Sequence, residues 1–348
     1  MVSIGLLFDQ IITGLSIGAQ LFLVAVGLSL IFGVLEVLNF THGVLYMIGA
    51  YTGVTIVESA YGGFWVGVVA AAVVVGLLGI VIEAGLIRRI YHREELDQLL
   101  LTFALVLILT DLTRTVFGSG AYVIDPPALF SGTIQLAESL SITSYRAFIV
   151  AVSVAVLGGL YFVLRTTNVG RLVRATSSDR DMALLLGIDV PKLYTGVFFV
   201  GSALAGIGGA LAAPLGAVTP SMGNQVIINA FVVVVIGGLG SFSGAFVGAY
   251  AIGLLIALGS MVVSGAGQLF PFLAMIAVLV FKPEGLFNPE EGVPEMTTVL
   301  ETEDLRREFG ALWPSTTSPS RSTTRRSPAS SGRTVPGRRR STTCCRGR

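Results

Sequence analysis

Stretches of about twenty mostly apolar residues recur along the first 281 positions, and each is long enough to cross the roughly 30 Å hydrocarbon core of a bilayer as a helix. They run over residues 6–35, 40–57, 64–87, 99–117, 147–164, 193–213, 226–236, 245–263 and 269–281. The runs are too long for strands and lack apolar/polar alternation. The pattern therefore predicts an all-α fold, a polytopic transmembrane helical bundle with about eight to nine membrane segments. Nine is the upper count, because 226–236 is short and a re-entrant or broken helix is tolerated where protein buries it. Charged residues make up only 12% of the chain, about half the share usual in a soluble domain. The 43 glycines follow no Gly-X-Y period. In a membrane, such small residues let helix backbones approach closely.

Charge divides the chain into two regions. From Ser315 onward there are nine arginines and no acid, which leaves 13 basic against 21 acidic residues in the rest. Residues 1–287 read as the membrane domain. Residues 288–348 begin acidic and proline-punctuated and end in Ser/Thr/Pro/Arg-rich low complexity, which cannot bury a core and is expected to be a disordered tail. Such a tail either binds anionic lipid headgroups or is an incidental extension, and the second reading is preferred. Both cysteines, Cys344 and Cys345, lie there, so the body has no disulfide framework. No basic residue precedes Arg88, so the first helix is expected to be a retained span rather than a cleaved signal.

Basic residues in short loops mark the cytoplasmic side. They cluster at Arg88, Arg89 and Arg93, at Arg165, Arg171, Arg174, Arg180 and Lys192, and at Lys282. The loop 118–145 holds Asp125 and Glu138 but no Lys or Arg, and reads as external. Counting from these anchors places the carboxyl end inside. The amino end lies outside if all nine segments cross.

Enzyme signatures fail. His42 and His92 are the only histidines and form no HExxH arrangement. Residues 240–244 resemble a nucleophile elbow, but Phe242 stands where the serine belongs. Neither lysine, Lys192 or Lys282, belongs to a GxxxxGK[ST] loop, so the chain cannot hydrolyse ATP through a P-loop by itself. No cofactor or metal site is expected.

The cytoplasmic segment 168–191 is the most informative. Its spacing predicts a helix with Val173, Met182, Leu185 and Leu186 on one apolar face and Arg174, Asp179 and Asp181 around it. Ser178 or Asp179 is the candidate cap, Gly187 the stop, and Pro191 opens the next span. Such a helix suits a groove on a cytosolic partner or lies on the membrane surface.

The string Gly170-Arg171, Arg174-Ala175, Asp181-Met182-Ala183, Gly187-Ile188 resembles the cytoplasmic loop of branched-chain amino-acid ABC transporter permeases, in particular the high-affinity leucine/isoleucine/valine type. Residues 30–43 and 46–51, the glycine-rich 236–245 and the closing 281–287 are similar to that family's segments in the same order. Together they cover residues 14–287. The resemblance implies a bundle of the ABC importer permease type that forms a translocation pathway for branched-chain or related amino acids. It also implies a second homologous permease, two cytosolic P-loop ATPases that bind ATP-Mg, and an external substrate-binding protein, with cell-membrane lipid around them and no nucleic acid. Urea or a short amide is the alternative cargo, and a self-sufficient channel or secondary transporter the alternative mechanism. On this resemblance Arg171, Arg174, Asp181, Met182 and Gly187 form or shape the ATPase-docking helix.

Other polar and glycine positions carry two readings each. Glu36, Asn39, Thr41 and His42 interrupt apolar runs, and either line the pathway or form a cytoplasmic turn or packing contact, which is preferred. Asn224 and Asn229 stand at an external helix start, where they would meet an incoming zwitterion. Gly240, Gly244 and Gly248 recur every fourth residue and smooth one helix face, for packing or for the pathway. Asp111 and Arg114 are spaced to pair on one helix, and Glu83 is expected to snorkel outward.

Overall fold

Each of the nine apolar segments is a helix in the computed structural model, which describes residues 4–59, 63–137, 140–263, 265–282 and 285–287. The tail and Glu138 lie outside the described residues. The helices are α1 Ile4–Leu35, α2 Thr41–Glu58, α3 Phe64–Gly85, α4 Glu95–Phe117, α5 Ser144–Thr166, α6 Asn168–Ser178, α7 Arg180–Leu185, α8 Val190–Ala212, α9 Met222–Gly237, α10 Phe242–Val262 and α11 Leu269–Phe281. Six of them (α1, α3, α4, α5, α8 and α10) are long and apolar enough to cross a membrane. The other three apolar segments, α2, α9 and α11, are shorter, at 18, 16 and 13 residues.

The core is built around α1, α2 and α8. Residues Phe22–Val26 of α1 are fully buried, and α1 packs along α10 and α8. Small residues set these contacts. Gly14 lies against Leu254, Gly18 against Tyr250 and Gly33 against Gly240, so α1 and α10 run antiparallel. Gly49 meets Gly206 and Gly53 meets Ala210, so α2 runs parallel to α8, whereas α3 crosses α8 antiparallel, with Val75 against Gly206, Gly79 against Ser202 and Glu83 bonded to Thr195. Lipid competes for every apolar side chain, so close backbone approach supplies the contact energy here.

The link from α1 to α2 departs from a simple turn. Glu36 ends α1 at φ 57°, the left-handed conformation that glycine usually supplies at a helix stop. The chain then runs irregularly back into the bundle. His42 Nε2 lies 3.1 Å from the carbonyl of Val24, about 16 Å up α1 from Leu35 at the α-helical rise. Because a carbonyl only accepts, Nε2 is the protonated nitrogen. Asn39 Oδ1 accepts from the Thr41 backbone N–H at 3.1 Å, and Thr41 Oγ1 donates to the Thr102 carbonyl of α4 at 3.2 Å. Non-helical backbone at membrane depth survives when protein satisfies it in this way.

The loop before α5 contains the two strands among the described residues, β1 Thr133–Ala137 and β2 Leu140–Thr143, paired antiparallel. It lies outside the apolar runs on which the expectation of no strands rested. A second pairing, Tyr122 with Val218 at 3.0 and 2.8 Å, ties this loop to the segment after α8. Beyond α11, Leu286 and Phe287 donate their N–H groups to the carbonyls of Ile236 and Gly237 at 2.8 and 3.2 Å, which caps the end of α9.

Candidate functional site

The segment between α5 and α8 folds as two helices, because Asp179 interrupts the predicted single one. Thr167 caps α6, accepting from the Gly170 N–H at 3.2 Å. Asp179 caps α7, accepting from the Met182 N–H at 2.9 Å. Helix α7 stops in a Schellman arrangement: Gly187 N–H donates to Leu184 O at 3.0 Å, and Ile188 N–H to Ala183 O at 3.1 Å. Gly187 has φ 81°, which a β-carbon would strain. Asp189 then caps α8 through the Lys192 N–H at 3.2 Å, with Pro191 in the first turn.

This break corrects the predicted apolar face. Val173 is buried against the bundle with Gly170 and Thr176, whereas Met182, Leu185 and Leu186 point outward and are 52, 82 and 73% exposed. Arg171 and Arg174 are exposed and serve local geometry: Arg171 donates to Asn168 Oδ1, and Arg174 to the carbonyl of Leu164 at the end of α5. Asp181 is exposed in the first turn of α7. The geometry thus presents short apolar side chains on a rigidly terminated turn, with charges beside them.

Below this surface lies a polar cluster that the sequence reading placed wrongly. Glu83 does not snorkel; its side chain is fully buried. Its carboxylate accepts from Arg88 Nε at 3.1 Å and Nη2 at 2.9 Å, from the Tyr91 hydroxyl at 2.9 Å and from Thr195 Oγ1 at 2.8 Å. The cluster fastens the end of α3 to the start of α8, one turn beyond the α7–α8 junction. Next to it, the Lys192 ammonium bonds Asp189 at 2.6 Å and holds that carboxyl below the usual range. Arg180 stands over the ring of Tyr194, 5.6 Å from its centroid, a cation–π contact that anchors the start of α7.

The remaining candidates separate. Glu36 is exposed at the turn, whereas Asn39, Thr41 and His42 are fully buried in helix packing. Gly240 precedes α10 at φ 81° and faces Gly33 of α1, while Gly244 and Gly248 face Gly237 and Val233 of α9. The three glycines therefore do not smooth one face; they serve two packing contacts within this chain. Asn224 is exposed on α9, and Asn229 Nδ2 lies 3.4 Å from Gln268 Oε1. Asp111 and Arg114 are both exposed and do not pair; the ion pairs among the described residues are Glu83–Arg88 and Asp189–Lys192. The described residues hold no group of three His, Cys, Asp or Glu able to hold a metal ion.

At the other end of the bundle, α1, α2, the start of α5 and the α8–α9 turn line an open cleft of about 330 Å³. Its lining includes Ser16, Gln20, Tyr46, Arg146, Leu215 and Met222, none of which was singled out from the sequence. The available signal was Arg146 itself, a lone cation after a long stretch without Lys or Arg.

Six helices of span length define a polytopic membrane protein, and comparison with known proteins specifies which kind. Residues 10–279 match the sequence pattern described as "Branched-chain amino acid transport system / permease component", and the chain belongs to that family. The high-affinity branched-chain amino acid transport system permease protein LivH of Escherichia coli (strain K12) is 29% identical over 297 residues, 81% of this chain and 96% of that protein. BraD of Pseudomonas aeruginosa, described in the same words, shows the same identity and coverage. The probable branched-chain amino acid transport permease protein LivH of Methanocaldococcus jannaschii is 27% identical over 76% of this chain and 88% of its own length. No solved structure matches the chain.

Proposed function

We propose that this chain is the membrane-spanning permease subunit of an ATP-driven importer that passes branched-chain amino acids received from an external binding protein. In this reading a second, homologous permease completes the pathway, and two cytosolic P-loop ATPases bind ATP-Mg and supply the drive. The observation that carries the reading is α7: Met182, Leu185 and Leu186 are exposed on a helix whose both ends are fixed, by Asp179 and by Gly187. An unpartnered apolar turn beside arginines suits the groove of a cytosolic partner. Motion delivered there reaches α8 through Asp189 and α3 through Glu83. Nine alternating crossings require α1 and α10 to be antiparallel and α2 and α8 parallel, and the contacts agree. With the arginine-rich loops inside, the amino end then lies outside and the carboxyl end in the cytoplasm.

The test is co-purification. Tagged chain co-expressed with its genomic neighbours is expected to bring down two P-loop ATPases, and Met182→Asp to lose them while the chain stays folded. Retention of the ATPases by Met182→Asp and Leu185→Asp alike refutes docking through α7.

A further inference from the structure

We infer that the cleft walled by Gln20, Tyr46, Arg146, Leu215 and Met222 is a binding subsite for a zwitterionic amino acid with an apolar side chain, on the path through this subunit; the inference rests on the importer reading above. Arg146 is the only charged side chain lining the cleft. Its Nη1 donates to Thr13 Oγ1 at 2.6 Å, and among the described residues no carboxylate pairs with it. A guanidinium carries five N–H donors in a planar fork suited to a carboxylate, so most of its capacity is uncommitted.

The other wall carries the opposite polarity. Ala212, Leu215 and Gly216, at and just beyond the carbonyl end of α8, also line the cleft. Helix C-termini carry partial negative charge and unpaired carbonyls, which favour a cation. Gln20 donates its Nε2 to the Ser16 carbonyl at 3.2 Å, which leaves Oε1 to accept from an ammonium group. Ile17, Leu215 and Met222 add apolar surface to the lining. A fixed cation, an acceptor-rich helix end and apolar lining side chains match the three parts of an amino acid such as leucine. The volume of about 330 Å³ falls at the small end of ligand pockets, as that cargo requires. Arg146 supplies the specificity, because a ligand lacking the carboxylate leaves the fork unpaired.

The experiment uses the assembled transporter in liposomes, with Cys344 and Cys345 replaced by serine and Met222→Cys introduced as a reporter for a small thiol reagent. Leucine is expected to slow labelling at least fivefold and leucinamide to leave it unchanged. Protection should be lost in Arg146→Gln and kept in Arg146→Lys. Ile17→Cys, elsewhere in the lining, repeats the measurement should Met222→Cys fail to assemble. Equal labelling with and without leucine, or equal protection by leucinamide, in an assembly that still takes up leucine with ATP overturns the subsite. Protection by leucine in an assembly without ATP-driven uptake leaves the subsite standing and removes the importer reading instead.

Discussion

Replacing Arg88 by methionine isolates the buried carboxylate of Glu83 while keeping an unbranched apolar stem in place of the arginine's. In the native bundle this carboxylate accepts four hydrogen bonds at 2.8 to 3.1 Å, two of them from Arg88. Removing one partner of a buried ion pair costs about 3–5 kcal/mol. Arg88 is 39% exposed while Glu83 is fully buried, and two hydroxyl donors remain, so the lower end, about 3 kcal/mol, applies. At about 2 °C per kcal/mol for a large domain, the melting temperature in detergent should fall by about 6 °C. Glu83→Gln should cost about 2 kcal/mol, because an amide oxygen keeps part of the network without the charge. The double variant should lose about 3 kcal/mol rather than the additive 5, a coupling of about 2 kcal/mol. Thermal unfolding of the four chains by intrinsic fluorescence measures this cycle. A melting temperature for Arg88→Met within about 1 °C of the parent, or strict additivity, refutes the claim that the cluster fastens α3 to α8.

Further expectations concern the loop and the packing. Gly187→Ala puts a β-carbon at φ 81° and should cost about 1–2 kcal/mol locally, seen as faster hydrogen exchange in α7 and weaker ATPase co-purification without a change in span content. Asp179→Ala should fray the same helix by about 1 kcal/mol through loss of its cap, with protection of the Met182 amide as the measure. Gly248→Leu should prevent α9 and α10 from closing, since even a β-carbon would stand 2.9 Å from the Val233 carbonyl, and size-exclusion chromatography should then show an aggregated chain. Asp189 titrates below its unfolded value because Lys192 bonds it. Its contribution is therefore present at neutral pH and lost as pH falls through the folded value, on the acid side of the ordinary aspartate range. Asp189→Asn should flatten that acid limb of a stability–pH curve, and an unchanged limb refutes the assignment.

The membrane segments were legible because apolar runs of span length are hard to place anywhere but in a bilayer. Asp179, Gly187 and Pro191 were also readable as a cap, a stop and a start, since each acts on backbone geometry within a few residues. What the sequence did not carry were contacts between elements far apart in the chain. Glu83 looked like a snorkelling acid although Arg88 and Tyr91 lie only five and eight residues on, because its burial comes from the packing of α3 on α8, where Thr195 lies 112 residues away. Arg146 drew no attention because Thr13 meets it, and Gln20 shares its cleft, only once α1 packs on α5. The shared face expected for Val173 and Met182 failed for a local reason, the extended backbone of Asp179 at φ −157°, which rotates α7 relative to α6. Asn39 and His42 fell inside the bundle because Glu36 turns the chain back, and a non-glycine residue in that conformation gives no signal of its own.

The central claim is that ATP hydrolysed by separate subunits moves solute through this bundle by way of α7. The direct measurement is uptake of labelled leucine into liposomes holding the full assembly, with ATP enclosed at the ATPase face and the binding protein added at the other. Uptake that needs both ATP and the binding protein, and falls at least tenfold in Met182→Asp, is the predicted result. Uptake by the chain alone, running down a gradient and indifferent to ATP, would contradict the account.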